Sequence, residues 1–264
     1  MLATLALTFF AAKISAAPVI PAEMAAKIAL ASQQYGEPPK PKTPPPNIAT
    51  EQQNSAKGLY LSPTDDIWVY AHAEDPQKDS FLRAWGSNGR SIPVPGDDPQ
   101  AYSWSLLKWD ISGFPLNSKI AEAQLVFTAA PDAGYTAKDA ADAPLEARPV
   151  KGGFNEKDWD YAEAEKYEPS GGEGDIYGSA SPAVVTPTEF TIVIDLLKGP
   201  SDFKALFDKA MKGDKTISLT IASRMDPGAL GRTGVYKVYS KDATDPTMRP
   251  KLRLVFENPP KKGK

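Results

Sequence analysis

The chain has 264 residues, and 30 Lys and Arg against 33 Asp and Glu give it a formal net charge of −3. This balance argues against a nucleic-acid-binding protein, which typically has a basic surplus. The absence of cysteine and the single histidine, His72, exclude disulfides, thiolate metal sites and multi-histidine zinc sites.

An apolar run from Leu2 to Ala17 ends in small residues. This pattern is typical of the hydrophobic region and cleavage end of a secretory signal peptide, and the run is too short to span a bilayer. No basic residue precedes the run and Lys13 interrupts it, so a short amphipathic leader is the alternative. We predict a signal peptide at 1–17 and an exported protein, secreted or at the cell surface, with no transmembrane segment after cleavage.

Proline dominates the next segment, because eight of the 26 prolines fall between Pro18 and Pro46. Consecutive prolines favour the extended polyproline II conformation, which predicts a semi-rigid linker at 18–57. A ligand for a proline-reading domain is the alternative. At the other terminus, 258–264 is predicted to be a solvated basic tail.

Residues 58–257 show a different pattern, in which short runs alternate apolar and polar residues between turn-forming residues. The runs are 66–70, 80–85, 104–110, 120–128, 143–150, 189–195, 216–223, 235–240 and 251–256. Nine such strands predict an all-β domain, an antiparallel jelly-roll-like β-sandwich.

One short α-helix is predicted between the strands at 189–195 and 216–223. Ser201 is the predicted N-cap, Asp202 lies in the first turn, and Gly213 ends the helix. Its apolar positions have helical spacing and are Phe203, Leu206, Phe207, Ala210 and Met211. We expect this apolar stripe to cover an open end or edge of the sandwich.

Five stretches occur in the order in which a known family has them. They are DDIWVY at 65–70, WSLLKWDIS at 104–112, KIAEAQLVF at 119–127, EFTIVIDLLKGP at 189–200 with the helix after it, and YKVYSKDATDPTMRPKLRLVF at 236–256. Residues from about 65 to 256 thus resemble the DNRLRE domain family, also described as carbohydrate-binding module family 96. The resemblance implies a secreted, non-catalytic β-sandwich that binds polysaccharide. The chain departs from the family pattern in an acidic insert at 155–175 and in a long segment at 75–100.

Aromatic side chains are the candidate sugar-binding groups, because an aromatic face stacks on the C–H face of a pyranose. The insert contains Trp159, Tyr161 and Tyr167 outside any strand pattern, Tyr177 follows it in the same loop, and Trp85 follows a predicted strand. We predict Trp85, Trp159, Tyr161 and Tyr167 as carbohydrate-binding residues. In the alternative interpretation, the aromatic residues of the insert attach it to the sandwich.

Other tryptophans lie within strands. Trp104 and Trp109 are an odd number of residues apart and should point to opposite faces, with at least one in the core. Trp68 should lie on the face opposite to Ile67 and Val69.

Basic residues near the closing strands could bind an acidic polysaccharide through charge-assisted hydrogen bonds. The candidates are Arg224, Lys237 and Lys241, and strand periodicity places Lys237 and Lys241 on one face. Pairing of Lys241 with neighbouring strands is an equal alternative.

Carboxylates of the acidic insert suit Ca²⁺, which prefers oxygen ligands, so Asp158 and Asp160 are candidate ligands of a structural Ca²⁺. Solvated surface charge is the alternative. A glycoside hydrolase needs paired carboxyl groups across a cleft, and among so many acids some pair will have the required separation by chance. His72 has no catalytic partner identifiable from spacing. Because the resemblance to the DNRLRE family implies binding, we expect no enzyme activity.

Together these features predict a secreted, non-catalytic β-sandwich that binds an extracellular polysaccharide, neutral or acidic. A structural or adhesive cell-surface module that packs against other proteins without binding sugar is the alternative.

Overall fold

A computed structural model of the protein describes residues 58–151, 153–169, 172, 174–231 and 234–257. The predicted signal peptide, linker and basic tail lie outside these residues. Within them, no helix is long and apolar enough to cross a membrane.

Eleven strands form in the described part of the chain. They are β1 (Leu59–Leu61), β2 (Asp65–Val69), β3 (Phe81–Ala84), β4 (Trp104–Asp110), β5 (Ile120–Ala129), β6 (Leu145–Arg148), β7 (Gly178–Ala180), β8 (Phe190–Asp195), β9 (Thr216–Ser223), β10 (Tyr236–Tyr239) and β11 (Lys251–Phe256). All nine predicted strands are present, and β1 and β7 are additional three-residue strands.

Short helices connect some of these strands. The α-helices are α1 (Ala137–Asp142), α2 (Phe203–Lys212) and α3 (Pro227–Leu230), and the 3₁₀ helices are Pro99–Ala101, Glu156–Asp158 and Tyr161–Tyr167.

The strands form two antiparallel sheets. The six-stranded sheet has the order β1-β11-β5-β10-β3, with β8 also paired to β5, and the five-stranded sheet has the order β2-β4-β9-β6-β7. The all-β sandwich predicted from the alternation is therefore confirmed.

The main core lies between the sheets and follows the two-residue period of the strands. On β5, Leu125 and Phe127 are buried, and on β4, Leu107 and Trp109 face them from the other sheet. Full burial of one such side chain stabilises the fold by about 1.5–3 kcal/mol. The outer face of the six-stranded sheet is polar, and there Arg253 donates hydrogen bonds to Glu122 and Gln124 on the neighbouring strand.

Helix α2 covers the end of the sandwich at which β11 ends, as expected. Its Phe207 ring lies 6.1 Å from Phe256, and the helix buries Phe203, Phe207, Ala210 and Met211. The predicted N-cap, Ser201, was wrong by one residue. The Asp202 side chain accepts a hydrogen bond from the Ala205 N–H, because a carboxylate competes well for the free N–H groups of a first helical turn.

The two sheets meet at both lateral edges. At one edge, β7 lies against the end of β8, and a Cβ atom on Gly178 would be 2.0 Å from the Asp195 carbonyl oxygen. At the other edge, the Ser105 hydroxyl accepts from the Arg83 N–H at 3.1 Å and donates to the Arg83 carbonyl at 2.8 Å. The Trp85 and Ser103 backbones then pair directly across the sheets.

A third layer covers the outer face of the five-stranded sheet. The residues that pack there, which we call the outer core, are Ile67, Val69, Ile92, Tyr102, Trp104, Leu106, Phe154, Ala164 and Ala222. Trp104 and Trp109 thus point to opposite faces, as predicted, and both are buried. Trp68 is also buried, on the face opposite to Ile67 and Val69, as predicted. The acidic insert is therefore packed on the sheet.

Charged groups anchor the insert at its start. The Asp66 carboxylate accepts from the Lys241 N–H at 2.6 Å, Glu156 accepts from the Asp66 N–H at 3.2 Å, and the Lys241 ammonium lies 2.9 Å from the Glu156 carboxylate. Burial raises the pKa of Asp66 to about 7; Lys241 opposes this shift, whereas Asp242 and Glu156 add to it.

We expect Gly178→Ala to reduce the free energy of unfolding by about 1–3 kcal/mol, because the added methyl group would force β7 away from β8. Gly113→Ala is the control, since nothing lies within 4 Å of its Cβ position. Urea denaturation of both variants measures the difference. Equal stability of the two variants would show that the sheets do not meet at this glycine.

We expect Asp66→Asn to change how stability depends on pH. The folded protein keeps a proton on Asp66 up to about pH 7, whereas the unfolded chain loses it near the ordinary value of 3.8. Wild-type stability should therefore fall between these pH values, by about 1.4 kcal/mol per pH unit, and stay low above them. The asparagine variant should lack this slope in denaturation experiments across the range. Asp132→Asn, at an exposed position, controls for the loss of a carboxyl group, and the same slope in the Asp66 variant would contradict the assignment.

Candidate functional site

Three aromatic side chains project from the same side of β2 and its continuation. Trp68 lies on β2, Tyr70 directly follows the strand, and His72 lies in the turn in which the Ala73 N–H donates to the Tyr70 carbonyl. The Trp68 and Tyr70 rings stack with centroids 5.8 Å apart and planes at 15°, and the His72 ring meets Tyr70 edge-on at 5.4 Å. We call these three residues the aromatic ladder.

Residues of β3 and its end support the ladder from the side. The predicted site residue Trp85 packs edge-on against Tyr70 at 5.0 Å and lies 6.4 Å from Trp68. Its indole N–H donates to the Ala101 carbonyl at 3.1 Å, which fixes the ring. The Arg83 guanidinium lies 4.3 Å from the Trp68 ring centroid, in a cation–π arrangement.

An open cleft of about 520 Å³ lies beside the ladder. Its lining includes the ladder, the carboxylates Glu74, Asp75 and Asp79, and Lys78. This volume is within the range of small-molecule and sugar-sized sites, which is about 300–1,000 Å³. The cleft lies at the end of β4 that is opposite to helix α2.

The polar groups of the cleft differ in how they are paired. Asp79 binds Arg83 at 2.5 Å, and Asp75 lies 3.6 Å from Lys78. Glu74 has no hydrogen bond or ion pair with any residue that the structure describes, and it is exposed. The His72 Nε2 atom lies 3.2 Å from the Gln100 Oε1 atom.

Trp68 combines burial with an unused donor. Its side chain is only 9% exposed, and its indole N–H has no hydrogen-bond partner among the described residues. A buried N–H of this kind costs free energy unless a partner accepts its hydrogen bond. The buried indole N–H groups of Trp104 and Trp109 are in the same state.

The aromatic residues predicted in the insert lie mainly on the outer core. Trp159 and Tyr167 are half-buried, with ring centroids 5.8 Å apart, and Tyr161 packs on the same cluster. Burial raises the pKa of the Tyr161 phenol, and the nearby Asp98 and Tyr70 add to the increase. Tyr177 is buried in the main core, edge-on to Phe203. This geometry matches the interpretation in which the rings attach the insert to the sandwich.

The predicted basic residues do not form one surface. Arg224 lies 3.4 Å from the buried carboxylate of Glu146, and the Lys237 ammonium lies 4.0 Å from the Phe81 ring centroid. Lys237 and Lys241 do not share a strand face, because β10 ends at Tyr239 and the chain turns before Lys241. Lys241 instead pairs with Glu156, in a 3₁₀ helix of the insert, and with the adjacent Asp242.

Asp158 and Asp160 make local hydrogen bonds. Asp158 accepts from the Asn155 side-chain amide at 2.8 Å, and Asp160 accepts from the Ala162 N–H at 2.9 Å as the cap of a 3₁₀ helix. Within the described ranges, no group of three or more Asp, Glu or His side chains is placed to hold a metal ion. Calcium binding by this pair stays a prediction.

Tyr70 and Glu74 were not among the predicted site residues, and His72 was predicted only as an exposed residue at a strand end. A partial signal for the ladder is present in the sequence, since W-x-Y at the end of a strand places two aromatic rings on one side. The approach of Trp85 and the pairing of the carboxylates depend on contacts between distant segments.

Comparisons with known proteins give no indication of function, so the geometry of the cleft is the main evidence. No protein-family model matches the chain, and no curated protein is found as a relative.

Proposed function

We propose that the domain is a non-catalytic polysaccharide-binding module of an exported protein and that the cleft beside the aromatic ladder is its binding site. The observation that carries this proposal is the stack of Trp68, Tyr70 and His72 along an open cleft. Aromatic faces bind the apolar C–H faces of sugars, and the polar groups around them bind hydroxyls. Such a site binds with modest affinity, about −4 to −8 kcal/mol.

Polar groups of several kinds surround the ladder and suit sugar hydroxyls. The Lys78 ammonium is a donor, and the Glu74 carboxylate is an acceptor. Because the cleft is open to solvent, a polymer can enter from the side and extend beyond it. The leader-like run at 2–17, the proline-rich segment and the resemblance to the DNRLRE family support an exported module of this kind.

Pairing of the carboxylates favours binding over hydrolysis. Glycoside hydrolysis requires a carboxylic acid and a second carboxylate across the scissile bond. In this cleft Asp79 is held by Arg83, Asp75 lies beside Lys78, and Glu74 alone is unpaired among the described residues. One free carboxylate suits recognition of a polar group.

An adhesive module would be favoured by a large apolar patch on a flat face. The exposed large hydrophobic residues of the described chain lie on separate segments and are Tyr60, Val94, Leu116, Val184 and Val193. On the outer face of the six-stranded sheet, Val126 pairs with Val193, but Arg253, Glu122 and Gln124 lie beside them. The polysaccharide proposal is therefore preferred.

We expect Tyr70→Ala to weaken glycan retention roughly 3- to 10-fold, because one stacking partner contributes about 0.5–1.5 kcal/mol. Affinity electrophoresis of the full chain against neutral, basic and acidic glycans measures this effect. Tyr70→Phe should retain most of the binding, since it keeps the ring. Thermal melting of each variant checks that the sandwich is intact.

Two controls separate the cleft from other aromatic surfaces. Tyr60→Ala removes an exposed ring from β1, away from the cleft, and should leave retention unchanged. Trp159→Ala tests the insert directly. Retention that depends on Trp159 and not on Tyr70 would move the binding site to the insert, and no retention of wild type on any glycan would exclude the proposed function.

A further inference from the structure

The charge of the cleft indicates which class of polysaccharide it binds. This inference rests on the proposed function. The cleft lining has three carboxylates, Glu74, Asp75 and Asp79, and one ammonium group, that of Lys78. Asp75 has Lys78 as its partner, and Asp79 has Arg83. The carboxylate of Glu74 is therefore the uncompensated charge, and the cleft is negative.

The three basic residues that the sequence predicted to bind an acidic polymer do not line the cleft. Arg224 lies beside Glu146, Lys237 lies over Phe81, and Lys241 is held by Glu156 and Asp242. A uronate polymer carries a negative charge on every sugar and would meet Glu74, while Lys78, the one ammonium group of the cleft lining, already lies beside Asp75. Like charges in contact disfavour binding.

A sugar with a protonated amino group matches both features of the cleft. The ammonium group is attracted to aromatic rings, of which Tyr70 lines the cleft, and to a free carboxylate, which Glu74 supplies. The pyranose ring adds C–H contact with Tyr70.

We propose that the cleft binds amino-sugar polysaccharides with free ammonium groups, such as polymers of β-1,4-linked glucosamine, and that Glu74 determines this specificity. Stacking on the ladder supplies binding to sugars in general. Glu74 supplies the preference for the cationic sugar.

The test compares three oligosaccharides of equal length on the full chain, by calorimetry at mildly acidic pH, where the sugar amines are protonated. They are a glucosamine oligomer, its N-acetylated neutral counterpart and an oligouronate. We expect wild type to bind the glucosamine oligomer roughly tenfold more tightly than either of the others. The preference should decrease at high salt, because the site is exposed to solvent.

Glu74→Gln should bring the affinities for the glucosamine oligomer and its acetylated counterpart to within about twofold, while Tyr70→Ala should weaken both. Glu257→Gln is the matched control, because Glu257 is exposed at the end of the sandwich covered by α2 and should leave the preference unchanged. Both glutamine variants should melt at the same temperature as wild type.

The outcomes separate the two proposals. Equal or tighter binding of the neutral or acidic oligomer by wild type would overturn the amino-sugar assignment and leave a glycan-binding cleft in place. A preference that persists in Glu74→Gln would overturn the role of Glu74. No binding of any of the three, together with no retention on the glycan panel, would overturn the proposed function itself.

Discussion

Burial of the five-stranded sheet on both of its faces is the constraint on which the rest of the structure depends. On β2, Trp68 packs into the main core while Ile67 and Val69 pack into the outer core. A sheet with apolar side chains on both faces requires a cover on each side. The six-stranded sheet is one cover, and Phe154 with the acidic insert is the other.

Two fully buried ionic side chains of β6, Glu146 and Arg148, are compatible with this burial because they are paired. The Arg148 guanidinium binds Glu146 at 2.8 Å, both side chains are fully buried, and Arg148 also donates to the Gly172 carbonyl at 3.1 Å. A buried pair of this kind contributes little net stability, but loss of one partner leaves an uncompensated charge. These pairs therefore define where the insert sits on the sheet.

The sandwich itself could be predicted from local patterns, because alternation over four or more residues is a direct consequence of one-sided contact with a core. Strands β1 and β7 have only three residues, too few for alternation to be recognised. The position of the insert could not be predicted in the same way. Its acidic composition indicates solvation, and Phe154, Trp159 and Ala164 follow no period, so only their partners across the fold explain their burial.

The candidate site likewise has features that local sequence patterns predict and features that depend on contacts between distant residues. Trp85 was predicted from its position after a strand, and the spacing of Trp68 and Tyr70 at the end of β2 places their rings on one side. Neither signal reveals that Arg83 neutralises Asp79 and leaves Glu74 free, because that pairing depends on how the turn at 73–79 folds against β3. The charge of the cleft, which bears on ligand class, thus becomes evident only in three dimensions.

The contact between Arg83 of β3 and Ser105 of β4 reduces the tendency of the domain to self-associate through this edge. An edge strand normally presents free N–H and C=O groups on which another chain can add a strand. At Arg83 both groups are occupied by the Ser105 hydroxyl, and the next residues pair through Trp85 and Ser103. At these positions β3 therefore has no free backbone groups on which a fibril could grow. The Ser105 hydroxyl thus keeps this edge strand from nucleating intermolecular sheets.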